Sequence, residues 1–171
     1  MKILIVGITS NDKIRGVERV VIETMKELAP LALAQNIQVS LLAGEWQKYY
    51  DELRGCGLDI IVADCSKSGF ARHAYMWWKI RKLIKEYSCV HYMNTMPIFF
   101  PKSGLVSVLI HDVAEFAVPQ KYSAWQSFYR RIIVRRMIRV ANKVFTVSHF
   151  SQREIVRYLG GGSHRVLYIT G

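Results

Sequence analysis

The chain has 171 residues, 51% apolar and 22% charged, with 24 Lys and Arg against 13 Asp and Glu and a net charge of +11. That length suits one domain of about 100–200 residues, and the apolar fraction excludes a disordered tail or acidic solvator. The basic surplus favours an anionic partner such as a membrane surface, a phosphorylated ligand or nucleic acid.

Short β-branched runs alternate with longer helical segments. Strands are predicted at Lys2–Val6, Ile37–Ala43, Leu58–Ala63, Val90–Met93, Leu105–Ile110, Lys143–Val147 and Arg165–Ile169. Most are continuously apolar, as in strands buried on both faces of a parallel sheet. Helices are predicted at Val17–Leu28, Glu45–Arg54, Phe70–Tyr87, Tyr122–Ala141 and Gln152–Leu159. This alternation implies α/β architecture: a Rossmann-like, doubly wound, mostly parallel sheet.

Boundary residues support the pattern. Gly16 opens the first helix, and Pro30 is expected to end or kink it because proline lacks a backbone N–H. Ser151 and Glu154 form a capping-box pattern, and Gly160-Gly161-Gly162 stops the helix that follows. The start, MKILIVGITSND, is too short in its apolar core for a signal peptide, and no run approaches the roughly 18–20 apolar residues that span a bilayer. Cys56, Cys65 and Cys89 lack CxxC spacing and read as reduced core thiols of a cytosolic protein, with no metal site. The final strand and the turn begun by Thr170-Gly171 suggest one half of something larger.

Two strand ends could carry chemistry. The turn from Gly7 to Gly16 follows the first strand, where open α/β sheets bind ligands. A glycine opening the next helix lets an anion approach its N–H groups. The turn is neither GxGxxG nor GxxxxGK[ST], so a bland long loop stands beside the phosphate reading. His111-Asp112 ends the strand Leu105–Ile110, either as a working pair or as a loop histidine with Asp112 capping the turn. His73, His91, His149 and His164 carry less weight.

Charge is concentrated in two segments holding 13 of the 24 basic residues. Lys121, Arg130, Arg131, Arg135, Arg136, Arg139 and Lys143 share a stretch with no acid and with interleaved Trp125, Phe128, Tyr129, Ile132, Ile133, Met137, Ile138 and Val140. Lys67, Arg72, Lys79, Arg81, Lys82 and Lys85 lie near Tyr75, Trp77 and Trp78, opposed by Glu86. A basic amphipathic helix with aromatics suits a membrane surface. It also fits a helix with its apolar face on the sheet and its basic face in water. Nucleic acid is less favoured, because no recognised motif accompanies the charge.

The ordered set of motifs resembles the N-terminal domain of retaining GT-B glycosyltransferases of the group 1, family-4 type. It comprises Met1–Val6 with Arg15-Gly16-Val17-Glu18-Arg19-Val20-Val21, then Leu109-Ile110-His111-Asp112-Val113 with Pro119 and Tyr122. The basic stretch from Tyr129, the strand Val144–Val147 ending in Ser148, and Tyr158-Leu159-Gly160 complete it. The resemblance implies one half of a GT-B enzyme, residues 1–171 being a single acceptor-side domain without the C-terminal donor-binding domain. It implies that His111 contacts the transferred sugar, that Gly16 lies near the donor diphosphate, and that Arg15, Asp112 and Ser148 join the substrate- or donor-binding set. Many relatives carry Gly-Gly where this chain has Arg15-Gly16, so Arg15 either alters or assists the phosphate approach.

The expectation is therefore the acceptor-binding half of a retaining glycosyltransferase, inactive alone, with a nucleotide-sugar co-substrate and no metal or other cofactor. Its acceptor is a glycan or lipid-linked glycan of polysaccharide biosynthesis. Arg130, Arg131, Arg135, Arg136, Arg139, Lys79 and Lys82 are expected to hold it peripherally on the cytoplasmic face of an anionic membrane. The rivals are a non-enzymatic subunit that recruits a glycosyltransferase to the membrane and a basic nucleic-acid-binding α/β module.

Overall fold

The computed structural model describes residues 1–9, 13–45, 47–63, 78–96, 104–118, 120, 123–160 and 166–168. Seven strands form one sheet: β1 Lys2–Val6, β2 Gln38–Gly44, β3 Asp59–Ala63, β4 Cys89–Tyr92, β5 Leu105–Leu109, β6 Lys143–Thr146 and β7 Val166–Tyr168. Their order is β3-β2-β1-β4-β5-β6-β7, and every pairing is parallel. From β1 the chain builds outward through β2 to β3, then returns to lay β4 on the other side of β1. That reversal makes the carboxyl ends of β1 and β4 the topological switch point, where doubly wound sheets bind ligands.

Side-chain alternation along the strands divides the core into two layers. Leu4, Val6, Val90, Tyr92, Val108, Ile110 and Val144 share one layer with Val134, Met137 and Ile155. Ile5, Val39, Leu41, Met93 and Leu109 share the other with Val21, Ile22 and Met25. The first helix, α1 (Gly16–Ala34), therefore covers one face, while α4 (Ala124–Val140) and α5 (His149–Leu159) cover the opposite face. Residues 78–83 form α2, which leads into a 3-10 turn at Ile84–Glu86, and Ala114–Ala117 form the single turn α3.

The helix boundaries differ from expectation for local reasons. Pro30 neither ends nor removes α1: the helix runs on to Ala34 because Ala29 and Ala32 are buried against the sheet. Asn36 then turns the chain with φ +53, and the Ile37 N–H reaches the Ala32 carbonyl at 2.8 Å. The helix predicted at Glu45–Arg54 is instead a 3-10 segment, Lys48–Leu53. The Gln47 side chain takes the Gly44 N–H at 2.6 Å, which holds the chain in a turn before a helix can start. The last helix begins at His149, with Ser148 rather than Ser151 as its cap; Ser148 Oγ accepts from the Ser151 N–H at 3.0 Å. Gly160 ends it with φ +65, a left-handed geometry that glycine adopts without penalty. Lys67, Arg72, Tyr75, Trp77, Pro119, Lys121, Tyr122, Gly161 and Gly162, like His73, His164 and Cys65, lie outside the described residues.

Candidate functional site at the carboxyl edge of the sheet

The loop leaving β1 is pinned from both neighbouring strands. The Gln47 amide, arriving from the end of β2, donates to the Gly7 carbonyl at 3.3 Å and to Thr9 Oγ1 at 3.1 Å. Asn94, just beyond β4, donates to the Ile8 carbonyl at 3.0 Å. Gln47 is almost wholly buried, so its amide organises the loop from beneath. Sequence reasoning missed Gln47, because a lone Gln after a predicted strand carries no motif.

His111 follows β5 and is half-buried. Its Nε2 lies 3.1 Å from the Met93 carbonyl at the end of β4. A carbonyl only accepts, so Nε2 carries the proton and donates. The His111 carbonyl accepts from Ser151 Oγ at 2.9 Å, which ties the residue to the first turn of α5. The contacts run without a gap from α5 through His111, Met93 and Asn94 to Ile8 on the β1 loop.

The other expected site residues fall around this chain of contacts. Asp112 is exposed, and its Oδ1 accepts from the Ala114 N–H at 3.1 Å, which turns the backbone into α3. This is the capping role weighed for it. Ser148 spends its hydroxyl on the α5 cap. Gly16 is the first residue of α1, and a Cβ built there would meet nothing within 4 Å. Its lack of a side chain therefore answers no crowding among the described residues. Exposed Arg15 caps that helix, its N–H donating to Glu18 Oε2 at 3.1 Å. Glu18 is buried beneath the first turn, where its charge complements the helix dipole.

The structure divides the predicted basic set. Arg130 faces Glu115 of α3, with Nε 3.6 Å from Oε2 of a carboxylate that is 0% exposed. Arg131 Nε donates to the Glu115 carbonyl at 2.8 Å, and Ser127 Oγ does so at 3.4 Å. Burial pushes the Glu115 carboxyl above its usual range, against the lowering effect of its backbone hydrogen bond and of Arg130. Arg130 and Arg131 thus brace α3 beside the His111 loop, and Arg135, Arg136 and Arg139 remain exposed. On α2, Lys79 is half-buried, and Lys82 Nζ lies 4.0 Å from the centroid of the Trp78 ring.

His91 lies within β4, partly buried between Ser107 and Phe145. Burial lowers its pKa to about 4, its Nδ1 lies 2.7 Å from Ser107 Oγ, and its ring meets Phe145 edge-on. Among the described residues, no three His, Cys, Asp or Glu side chains converge to hold a metal ion, and no helix is long and apolar enough to cross a membrane.

This all-parallel sheet, with its strand order reversing at β1–β4, is the Rossmann-like α/β half of a GT-B architecture. A model of the Glycosyltransferase Family 4 matches residues 14–169, and the chain belongs to that family. Among solved structures, the chain resembles Anabaena Alr3699/HepE in complex with UDP-glucose at 16% identity and a TM-score of 0.65, over 99% of this chain and 43% of that one. HepE with UDP and glucose matches at 14% identity and the same TM-score, over 100% of this chain and 44% of that one. The chain thus spans less than half the length of these solved chains. A comparison with curated proteins finds no match.

Proposed function

We propose that the chain is the acceptor-binding half of a retaining glycosyltransferase. It would move a sugar from a nucleotide-sugar donor to a glycan or lipid-linked acceptor at a membrane surface, and would need a C-terminal donor-binding domain or subunit to turn over. The observation that carries this reading is the contact chain linking His111, Met93, Asn94 and the β1 loop at the sheet's switch point. UDP and UDP-glucose in the HepE complexes support a uridine nucleotide-sugar as the first donor to try.

Sugar transfer needs stabilisation of the departing diphosphate and of positive charge on the sugar. The N-terminus of α1 at Gly16 offers backbone N–H groups to the diphosphate. Arg15, at the same corner, adds a cation. His111, fixed through Met93 and Ser151, positions the sugar and the approaching hydroxyl. It is not the base: the leaving phosphate accepts the proton from the attacking hydroxyl. No metal takes part in this proposal.

The test is turnover of the chain joined to its donor-binding half, with His111→Ala beside the wild type. Loss of transfer with an unchanged melting temperature supports the assignment. Unchanged turnover in the variant rejects it. Tight binding of UDP-glucose by the 171-residue chain alone would contradict the placement of most donor contacts on the other half.

A further inference from the structure

We infer that one exposed face of α4 is the surface that docks on an anionic membrane interface. The inference deepens the membrane-proximal reading above by assigning the docking to particular side chains.

Trp125, Phe128, Tyr129 and Ile132 follow i, i+3, i+4, i+7 spacing and so share one face of the helix. All four point into solvent, with exposures of 73%, 57%, 44% and 49%. Arg135, Arg136 and Arg139 continue the same spacing from Ile132 and are exposed too. The opposite face, with Ile133, Val134, Met137 and Ile138, is buried on the sheet. The exposed face is therefore apolar over its first two turns and cationic over the next two, along about 20 Å of helix.

A merely solvated helix face has no reason to carry four large apolar side chains in register. An interfacial helix lying in the plane of a bilayer does: aromatic rings settle at the headgroup level and arginines meet lipid phosphates. Charge complementarity fixes the lipid class as anionic, since Lys121–Lys143 contains no acid. The buried acid Glu115 sorts the arginines, drawing Arg130 and Arg131 inward; Arg136 and Arg139 stand outward, with Arg135 beside them at 5.4 Å from the Phe116 ring of α3. Glu115 also fastens the docking helix to α3, which follows directly on His111-Asp112, so docking would bring the carboxyl edge of the sheet close to the lipid headgroups. Nucleic acid suits the face less well, because Ile132 at its centre offers no plane for a base to stack on.

The test is co-sedimentation of the full chain with vesicles of equimolar phosphatidylcholine and phosphatidylglycerol, and with vesicles of phosphatidylcholine alone. Binding is expected to the anionic vesicles and to weaken as salt rises. The triple variant Arg135→Gln, Arg136→Gln, Arg139→Gln is expected to lower the partition coefficient by about 100-fold. Trp125→Ser with Phe128→Ser lowers it by at least about tenfold. A charge-matched control on the opposite face of the sheet, Arg19→Gln, Lys26→Gln, Arg54→Gln, changes it by less than about threefold. A fluorescence difference between wild type and Trp125→Phe that shifts to the blue on vesicle addition reads insertion without depending on the multiple variants. Equal binding by wild type and the outer-face variants, or equal loss in the control, overturns the inference. So does oligonucleotide binding or self-association in place of vesicle binding. None of these outcomes bears on sugar transfer by the joined enzyme, so the two readings fail separately.

Discussion

Replacing Gln47 by Ala removes the amide that holds the β1 loop. Three hydrogen bonds are lost together: the Gly44 N–H to Oε1 at 2.6 Å, and Nε2 to the Gly7 carbonyl and to Thr9 Oγ1 at 3.3 and 3.1 Å. At about 0.5–1.5 kcal/mol net for each buried hydrogen bond, the loss is about 2–4 kcal/mol. For a chain of this size that lowers the melting temperature by about 4–16 °C. Differential scanning calorimetry reads the shift, and amide spectra of Gly7, Ile8 and Thr9 read the loop. Gln47→Glu separates the two ends of the amide. Its carboxylate still accepts from Gly44, but faces the Gly7 carbonyl with an acceptor where the native amide donates. The Glu variant should therefore also be destabilised and should also move the loop. A Gln47→Ala protein melting within about 1 °C of wild type, with unmoved loop amides, would refute the reasoning.

His91 and Glu115 should give opposite pH signatures. The His91 ring binds its proton less readily in the fold than in the unfolded chain, with a pKa lowered from 6.5 to about 4. Its contribution to stability is full above pH 6.5 and is lost as pH falls toward 4, by about 3 kcal/mol; in urea titrations His91→Leu should flatten that slope. The Glu115 carboxyl is raised by burial, so its ionisation weakens the fold as pH rises above the unfolded value. Glu115→Gln should match or exceed wild-type stability at pH 7, with the difference shrinking as pH falls to about 4 and below. Ser148→Ala removes the α5 cap and should cost about 1 kcal/mol by chemical denaturation, whereas Ser151→Ala should also perturb the His111 resonances. Gly16→Ala meets no neighbour, so it should leave the melting temperature equal or higher while slowing transfer by the joined enzyme.

The strands were legible because parallel strands buried on both faces read as apolar runs; β2 to β6 differ from expectation by a single residue at one or both ends, and the predicted ends of the last strand, Arg165 and Ile169, lie outside the described residues. β1 matches throughout. Helix ends were less legible, because tertiary contacts decide them. Pro30 stays helical where Ala29 and Ala32 are pulled onto the sheet, and Ser148 caps α5 because the helix starts at His149, which leaves Ser151 inside the first turn with its hydroxyl donating to the His111 carbonyl. The single turn α3 went unpredicted: four residues are too few for periodicity, and a buried Glu at its centre reads as solvent-facing.

At the site, position along the chain was enough to bring His111 and the β1 loop to the same edge of the sheet. Local chemistry was not enough to find what holds them. Gln47 and Asn94 act across strands adjacent in space but distant in sequence. The basic run predicted one charged surface. The fold divides it, because the buried Glu115 draws in Arg130 and Arg131 while the outer arginines share their face with exposed Trp125, Phe128 and Tyr129.

The most direct measurement of the central claim is a crystal structure of the chain assembled with its donor-binding half and soaked with UDP-glucose. Diphosphate oxygens are expected within hydrogen-bonding distance of the backbone N–H groups at Gly16, and the hexose within reach of the His111 ring. A bound nucleotide-sugar that touches neither residue, with both turned away from the interdomain opening, would contradict that claim.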